Sequence, residues 1–201
     1  MSKAKNKVTF GLKNVYYSKI TETSGANGVE VEYAKPIPMP GGASMSMPKN
    51  AERVAIAADD DPEYAVFYNN KGYDGNIVLY DVPDSFYTDC LGETSEGSTM
   101  VENKDAQPSP FALLFEFSGD KHATKHVFYR CLATQPDVAS ETKGESITAN
   151  QITLNIKATP ALDTGDIKRK CSDMESDTYK NWYESVPVSG GTASSATSTE
   201  E

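Results

Sequence analysis

Two neighbouring stretches decide the expected fold: FALLFEF at residues 111–117 and HVFYRCLAT at residues 126–134. Apolar side chains recur at every second position in the first stretch, and a period of two is the repeat of a β-strand. The residues that share one side of it are Phe111, Leu113, Phe115 and Phe117. In the second stretch, Val127, Tyr129, Cys131 and Ala133 alternate with the remaining side chains. Because the short polar segment SGDK (118–121) separates the two stretches, we predict an antiparallel β-hairpin.

Period-two alternation extends along most of the chain. Further strands are expected at residues 8–20, 29–33, 53–57, 63–68, 76–82 and 151–159. In the first of these, the even positions from Val8 to Ile20 are expected to share the apolar face, with a possible break at Gly11. Polar, glycine-containing loops are expected at 21–28 and 69–75.

Helical signals are few. Pro83 and Asp84 are typical of a helix amino end and Gly92 of the position after its carboxyl end, so one short helix is predicted between them. A helical turn is expected at 177–185. We therefore predict a mainly β protein, a sandwich or barrel with one short flanking helix and long interface loops. The domain is expected to span residues 1–188, and the low-complexity tail at 189–201 is expected to be disordered.

Composition excludes several classes of function. The 201 residues include 19 basic and 29 acidic side chains, a net charge of −10, which argues against proteins that grip DNA or anionic membranes. The charge is uneven, with seven basic and three acidic residues in 1–50 but two and eleven in 51–100. No stretch is apolar enough to span a membrane, and no secretory signal is expected. Three cysteines without a CxxC pair are expected to be reduced thiols.

Motifs for catalysis or metal binding are weak or absent. The sequence holds neither a GxSxG nucleophile motif nor a phosphate-binding GxxxxGK[ST] loop. His122 and His126 have the spacing of zinc ligands on a helix, but they bracket a turn and are expected to be solvated hairpin residues. The acidic run at 59–63 lacks the pattern of an EF-hand. We predict no enzyme, metal or cofactor, although 29 acids leave a carboxylate pair for glycoside hydrolysis as a minor alternative.

Two features of the sequence are typical of protein–protein contacts, a Pro/Gly/Met-rich tract and a surplus of aromatic residues. The Pro/Gly/Met-rich tract at 36–48 is typical of an adaptable loop, with an ordinary surface loop as the equal alternative. Aromatic residues exceed what one small core needs, and aromatic residues are enriched at the centres of interfaces. The candidate contact residues are Tyr16, Tyr17, Pro38, Met39, Pro40, Gly41, Met45, Met47, Asn70 and Tyr73.

The order of several short motifs resembles the major tail proteins of bacteriophages with long non-contractile tails (siphophages). The motifs are FGLKNVYY (10–17), YAKP (33–36), PGGA (40–43), GYDGNI (72–77), VPDSF (82–86), PFALLFE (110–116), KHVFYRC (125–131), TANQITLNI (148–156), WY (182–183) and VP (186–187). Each motif is weak alone, and their order and spacing over residues 8–188 carry the resemblance.

The resemblance implies a β-sandwich-like subunit that forms hexameric rings stacked into the tail tube. The implied partners are further copies of the chain and the tape-measure, tail-tip and tail-terminator proteins. DNA would pass through the lumen without specific binding, and the protein would be assembled in the host cytoplasm into the virion. The acids expected to line the lumen or guide assembly, facing a basic amino-terminal segment across subunits, are Asp59, Asp60, Asp61, Glu63 and Glu116. The alternative is a free-standing β-sandwich that binds carbohydrate as an adhesin.

Overall fold

The computed structural model describes residues 8–26, 28–140 and 149–188, together with the backbone of residues 191–192. Fourteen strands are present in this part of the chain: β1 (Leu12–Gly25), β2 (Gly28–Tyr33), β3 (Ile37–Pro38), β4 (Gly42–Ser46), β5 (Lys49–Ala58), β6 (Asp61–Leu79), β7 (Thr94–Glu96), β8 (Thr99–Val101), β9 (Phe111–Phe117), β10 (Lys125–Ala133), β11 (Ile152–Thr159), β12 (Lys168–Cys171), β13 (Pro187–Val188) and β14 (Gly191–Thr192). The tail predicted at 189–201 lies outside the described residues, apart from the backbone of β14, which pairs with β13.

Ten strands form one antiparallel sheet, which confirms the predicted mainly β class. The order is β2-β1-β9-β10-β11-β6-β4, while β3 joins β1, β5 joins β6 and β12 joins β10. The predicted hairpin is confirmed, since β9 and β10 are neighbours. The sheet curls so that its distant strands β1 and β4 approach each other, because a Cβ on Gly42 would lie 3.1 Å from the side chains of Leu12 and Val15. The architecture is therefore one curled sheet around a core.

Both faces of the central strands are buried. Phe111, Leu113 and Phe115 of β9 point into the curl, together with residues of β6 and β11. Leu114 lies in a second cluster on the opposite face, which the carboxyl-terminal segment covers with the fully buried Trp182. Only one of these two faces was evident from the alternation, because the cover of the other face comes from a distant part of the chain.

The face predicted for the first strand is confirmed only in part: Ser18 and Ile20 are buried as expected, but the even positions do not stay on one face along the whole strand. The pairing of β1 with β9 shifts register between Lys13 and Tyr16, and Asn14 has a φ of +50°. This irregularity adds a residue and moves Val15 and Tyr17 into the core inside the curl. Val8 and Phe10, which the alternation assigned to the buried face, are exposed.

The predicted loops are largely strand, and the tract at 36–48 contains the short strands β3 and β4. Residues 21–25 continue β1, and Gly25 pairs with Gly28 of β2. Residues 69–75 lie inside β6, a single strand from Asp61 to Leu79. A Cβ on Gly75 would lie 2.0 Å from the Ser46 carbonyl oxygen, so this glycine permits close approach of a neighbouring strand and does not mark a turn.

The helical predictions are confirmed in position. A short helix α1 (Asp84–Phe86) continues into a π-helical turn (Tyr87–Leu91), and Gly92 ends it with a φ of +79°. Pro83 is the residue before the helix and not its first residue. Near the carboxyl end, α2 (Asp177–Lys180) is capped by the Ser176 side chain. No helix in the described segments is long and apolar enough to cross a membrane.

Candidate assembly surface

A long and largely exposed hairpin is formed by β5 and the first part of β6, residues 50–72, which we call the arm. Its strands pair with each other, and β11 and β4 reach β6 only from Tyr73 and Asn76 onward. Asp59 and Asp60 connect the strands with φ values of +51° and +61°, and positive φ at both central residues is typical of a type I′ turn. Aspartate tolerates this conformation better than most residues, which explains why the sequence turns here.

Both faces of the arm carry exposed apolar side chains. Val54 and Phe67 lie directly opposite each other and are 43% and 58% exposed. Because side chains alternate along a strand, Tyr68 lies on the other face, and it is 77% exposed. Tyr64 and Ile56 add further exposed apolar surface. An isolated two-stranded hairpin is marginally stable in water, and exposed apolar surface of this kind marks contact sites for other proteins.

The arm ends in an acidic tip, which we define as Asp59, Asp60, Asp61 and Glu63. All four residues are exposed. Glu63 forms an ion pair with Arg53, and its backbone N–H donates to Asp61. The other three carboxylates form no ion pair within the described part of the chain. The tip therefore presents uncompensated negative charge at the end of an apolar arm.

Glu116 is not an exposed acid, so its predicted place on the lumen surface was wrong. The side chain is 4% exposed and lies on the face of β9 that the carboxyl-terminal segment covers. It accepts hydrogen bonds from the Tyr183 hydroxyl at 2.7 Å and from the Asn14 amide at 3.3 Å, and Lys13 Nζ lies 3.4 Å away. Burial and the hydrogen bond to Glu116 raise the pKa of Tyr183. This cluster attaches the carboxyl-terminal segment to the sheet.

Two predicted contact residues belong to the core. Tyr17 is fully buried and donates its hydroxyl to Ser85 at 2.8 Å, and burial raises its pKa. Met39 is also buried in the core. Neither side chain offers surface to a neighbouring subunit, so we leave both out of the proposed contact set.

The other predicted contact residues fall in two places. Tyr16, Pro38, Pro40 and Gly41 line one cleft between β1 and the segment before β4. Met45 and Met47 are half-buried against the core beside it. Asn70 is exposed on the arm, and Tyr73 lies half-buried where the arm joins the sheet. Their role in assembly stays a prediction.

The apolar residues of the arm were missed in the sequence analysis. The usable signal was that residues 64–68, YAVFY, are apolar on both strand faces while they follow directly on a charged turn. Such a strand is normally central in a sheet. Here it is exposed.

His126 is not a solvated hairpin residue. It lies in β10 with its ring stacked on Phe115 at 5.2 Å and edge-on to Phe117. Burial, with Lys168 and Lys170 nearby, lowers its pKa to about 4. Among the residues that the structure describes, no group of three His, Cys, Asp or Glu side chains is arranged to hold a metal ion.

Comparisons with known proteins do not establish a family for this chain. No family model and no curated protein matches the chain. One similar solved structure is a cryo-EM structure of the anti-feeding prophage cap (AFP tube terminating cap), which is 9% identical. The match covers 85% of this chain and 95% of that chain with a TM-score of 0.33. A likeness at this level carries no argument about what this chain does.

Proposed function

We propose that the protein is a structural subunit of a bacteriophage tail tube that polymerises with copies of itself. The observation that carries the proposal is the arm, which exposes apolar side chains on both faces and, among the described residues, pairs with no strand beyond its own two. The motif order over residues 8–188 supplies the identity of the assembly. Rings, partners such as the tape-measure protein and the passage of DNA are part of the proposal and derive from that resemblance alone.

The shape of the arm favours an open assembly. An arm that reaches a different surface on the next copy without reciprocal exchange of arms makes a heterologous contact, and this is the arrangement that we propose. Heterologous contacts close into rings or continue as filaments, depending on the rotation between copies. A stack of rings contains both kinds of contact, those that close within one ring and those that continue along the stack. A net charge of −10 per subunit suits a conduit that DNA must pass without adhering.

The strength of the arm contact can be estimated from its exposed side chains. Val54 and Phe67 are 43% and 58% exposed, and burying these remaining parts would contribute about 1.5–3 kcal/mol. That corresponds to a roughly 10- to 150-fold change in the affinity of one arm contact. The parts of these side chains that are already buried within the subunit are of similar size, so the double replacement should also lower the free energy of unfolding of the monomer by about 1.5–3 kcal/mol, which thermal melting measures.

The test is assembly of the purified protein, followed by negative-stain microscopy and sedimentation over a range of concentrations. Wild-type protein is expected to form tubes or stacked rings, whereas V54S/F67S stays folded and assembles only at about tenfold or higher concentration. The matched control V138S/L162S replaces two exposed apolar residues outside the arm and should assemble like the wild type. A wild type that stays monomeric and binds glycans would favour the adhesin alternative and contradict the proposal.

A further inference from the structure

A basic surface lies where the arm joins the sheet. Lys168 of β12 pairs with Phe128 of β10, and Lys170 pairs with His126, so the two lysines share a strand face. The Lys168 ammonium lies 5.6 Å from the centre of the Tyr73 ring and 5.7 Å from that of Phe128. We call Lys168, Lys170 and the rings of Tyr73, Phe128 and His126 the basic mouth. Both lysines are exposed.

The positive charge of the mouth is uncompensated. Neither Lys168 nor Lys170 forms an ion pair within the part of the chain that the structure describes. Burial and the charge of Lys170 lower the pKa of Lys168, and both lysines contribute to the lowered pKa of His126. The outer edge of β12 also has no partner strand among the described residues. The mouth thus combines cationic groups, aromatic surface and an unpaired strand edge.

The described lysines near the amino end are less suited to receive an acidic partner. Lys13, Lys19 and Lys35 form ion pairs with acids of their own subunit, at 3.4, 3.0 and 2.6 Å. Lys3, Lys5 and Lys7 lie outside the described residues. This changes the expectation that the amino-terminal charges face the acidic segment, because the available pair of neighbouring cations is in β12.

The acidic tip of a chain lies far from its own mouth. The arm joins the sheet next to Tyr73, whose ring lies 5.6 Å from the Lys168 ammonium, and Lys49 pairs with Tyr73 at the same level. From there β5 extends for ten residues, which is about 33 Å of strand. Because the paired strands hold the tip at the far end, the tip and the mouth can meet only between two copies.

We propose that the acidic tip of one copy docks in the basic mouth of the next copy, with the apolar faces of the arm buried along the neighbour. This inference rests on the proposed function and names the receptor surface for the arm. Repetition of the same tip-to-mouth contact gives an open series of subunits. The arm length would set their spacing at roughly 33 Å.

Two variants test the pairing by exchange of charge. The tip variant is D59N/D60N/D61K, in which Asn keeps the positive φ that the turn requires. The mouth variant is K168E/K170E. Each variant alone places like charges at the contact, whereas a mixture offers the lysine of one tip to the glutamates of the other mouth. In the same mixture, the unchanged acidic tip of the mouth variant meets the unchanged basic mouth of the tip variant.

Controls separate the contact from net charge and from folding. E30K/E32K changes the net charge by the same amount as the tip variant, at exposed positions of β2. K170E, which spares the ring contacts of Lys168, is matched by K104E, a charge reversal at another exposed lysine. Circular dichroism and thermal melting verify that each variant folds.

The expected result is that the tip and mouth variants each need about tenfold or higher concentration than the wild type to assemble, while their equimolar mixture and the controls assemble normally. K170E alone should be impaired where K104E is not. If the wild type forms tubes but the variants assemble alone, or the folded mixture does not assemble, tip-to-mouth docking is refuted and the proposed function stands. If the wild type never assembles, both fail together.

Discussion

Replacing Gly72 by Ala tests whether β6 is one continuous strand that crosses its neighbour at close range. A Cβ at Gly72 would lie 1.9 Å from the Ala158 carbonyl oxygen, and the φ of +103° is one that L side chains rarely adopt. The residue therefore combines a backbone strain with a clash against a backbone atom. We expect Gly72→Ala to lower the free energy of unfolding by about 4 kcal/mol, which is exceptional for a single methyl group.

The magnitude follows from two separate costs. Holding a non-glycine residue at such a φ costs about 1–3 kcal/mol. Cβ atoms essentially never approach a heavy atom closer than 3.0 Å, so β6 and β11 must move apart by more than 1 Å. That movement disrupts the pairing of Tyr73 with Ala158, and each lost hydrogen bond costs roughly 0.5–1.5 kcal/mol, or more if its groups stay buried. The melting temperature should fall by roughly 8–16 °C.

Urea unfolding followed by circular dichroism measures the effect, and two other glycines separate its causes. Gly97 has a φ of +66° with no atom within 4 Å, so Gly97→Ala carries only the strain, about 1–2 kcal/mol. Gly75 has an ordinary φ, so Gly75→Ala carries only the clash, with the Ser46 carbonyl oxygen at 2.0 Å. If Gly72→Ala costs no more than Gly97→Ala, the close crossing is refuted and residues 69–75 form a loop.

Three further predictions concern the subunit. Tyr183→Phe removes a hydrogen bond from the buried carboxylate of Glu116 and should cost about 1–3 kcal/mol in urea unfolding; an equal loss in Tyr80→Phe, at an exposed hydroxyl, would contradict this. Burial lowers the pKa of His126 from 6.5 to about 4 in the folded protein. Between these pH values the imidazole is protonated only in the unfolded chain, so stability falls as the pH falls from 6.5 to 4. His126→Phe should flatten that fall, and parallel curves would refute the assignment. Burial raises the pKa of two of the three thiols, so a thiol reagent should label only Cys171 in the folded protein; equal labelling of all three would contradict their burial.

Much of the sheet was predictable from local pattern. β9, β10 and β11 alternate apolar and polar or smaller residues over seven to nine positions, and their predicted bounds agree with the structure within one residue. The short helix before Gly92 was predictable because its end signals are local. The predictions failed where a segment distant in sequence determines the environment of a residue. By sequence alone, Gly72 resembles a turn residue. The structure shows that the backbone of Ala158 in β11 packs against it, which leaves no room for a side chain.

The candidate site depended on tertiary structure more than the fold did. The sequence by itself determined a mainly β chain with an acidic turn at 59–61 and no nucleophile motif, because composition and period-two alternation are properties of short segments. Tertiary structure decided that the carboxyl-terminal segment buries Glu116, while Phe67 on the arm stays exposed. The physical reason is that burial depends on which second surface covers a strand face, and that surface can come from a distant part of the chain, which a local pattern does not show.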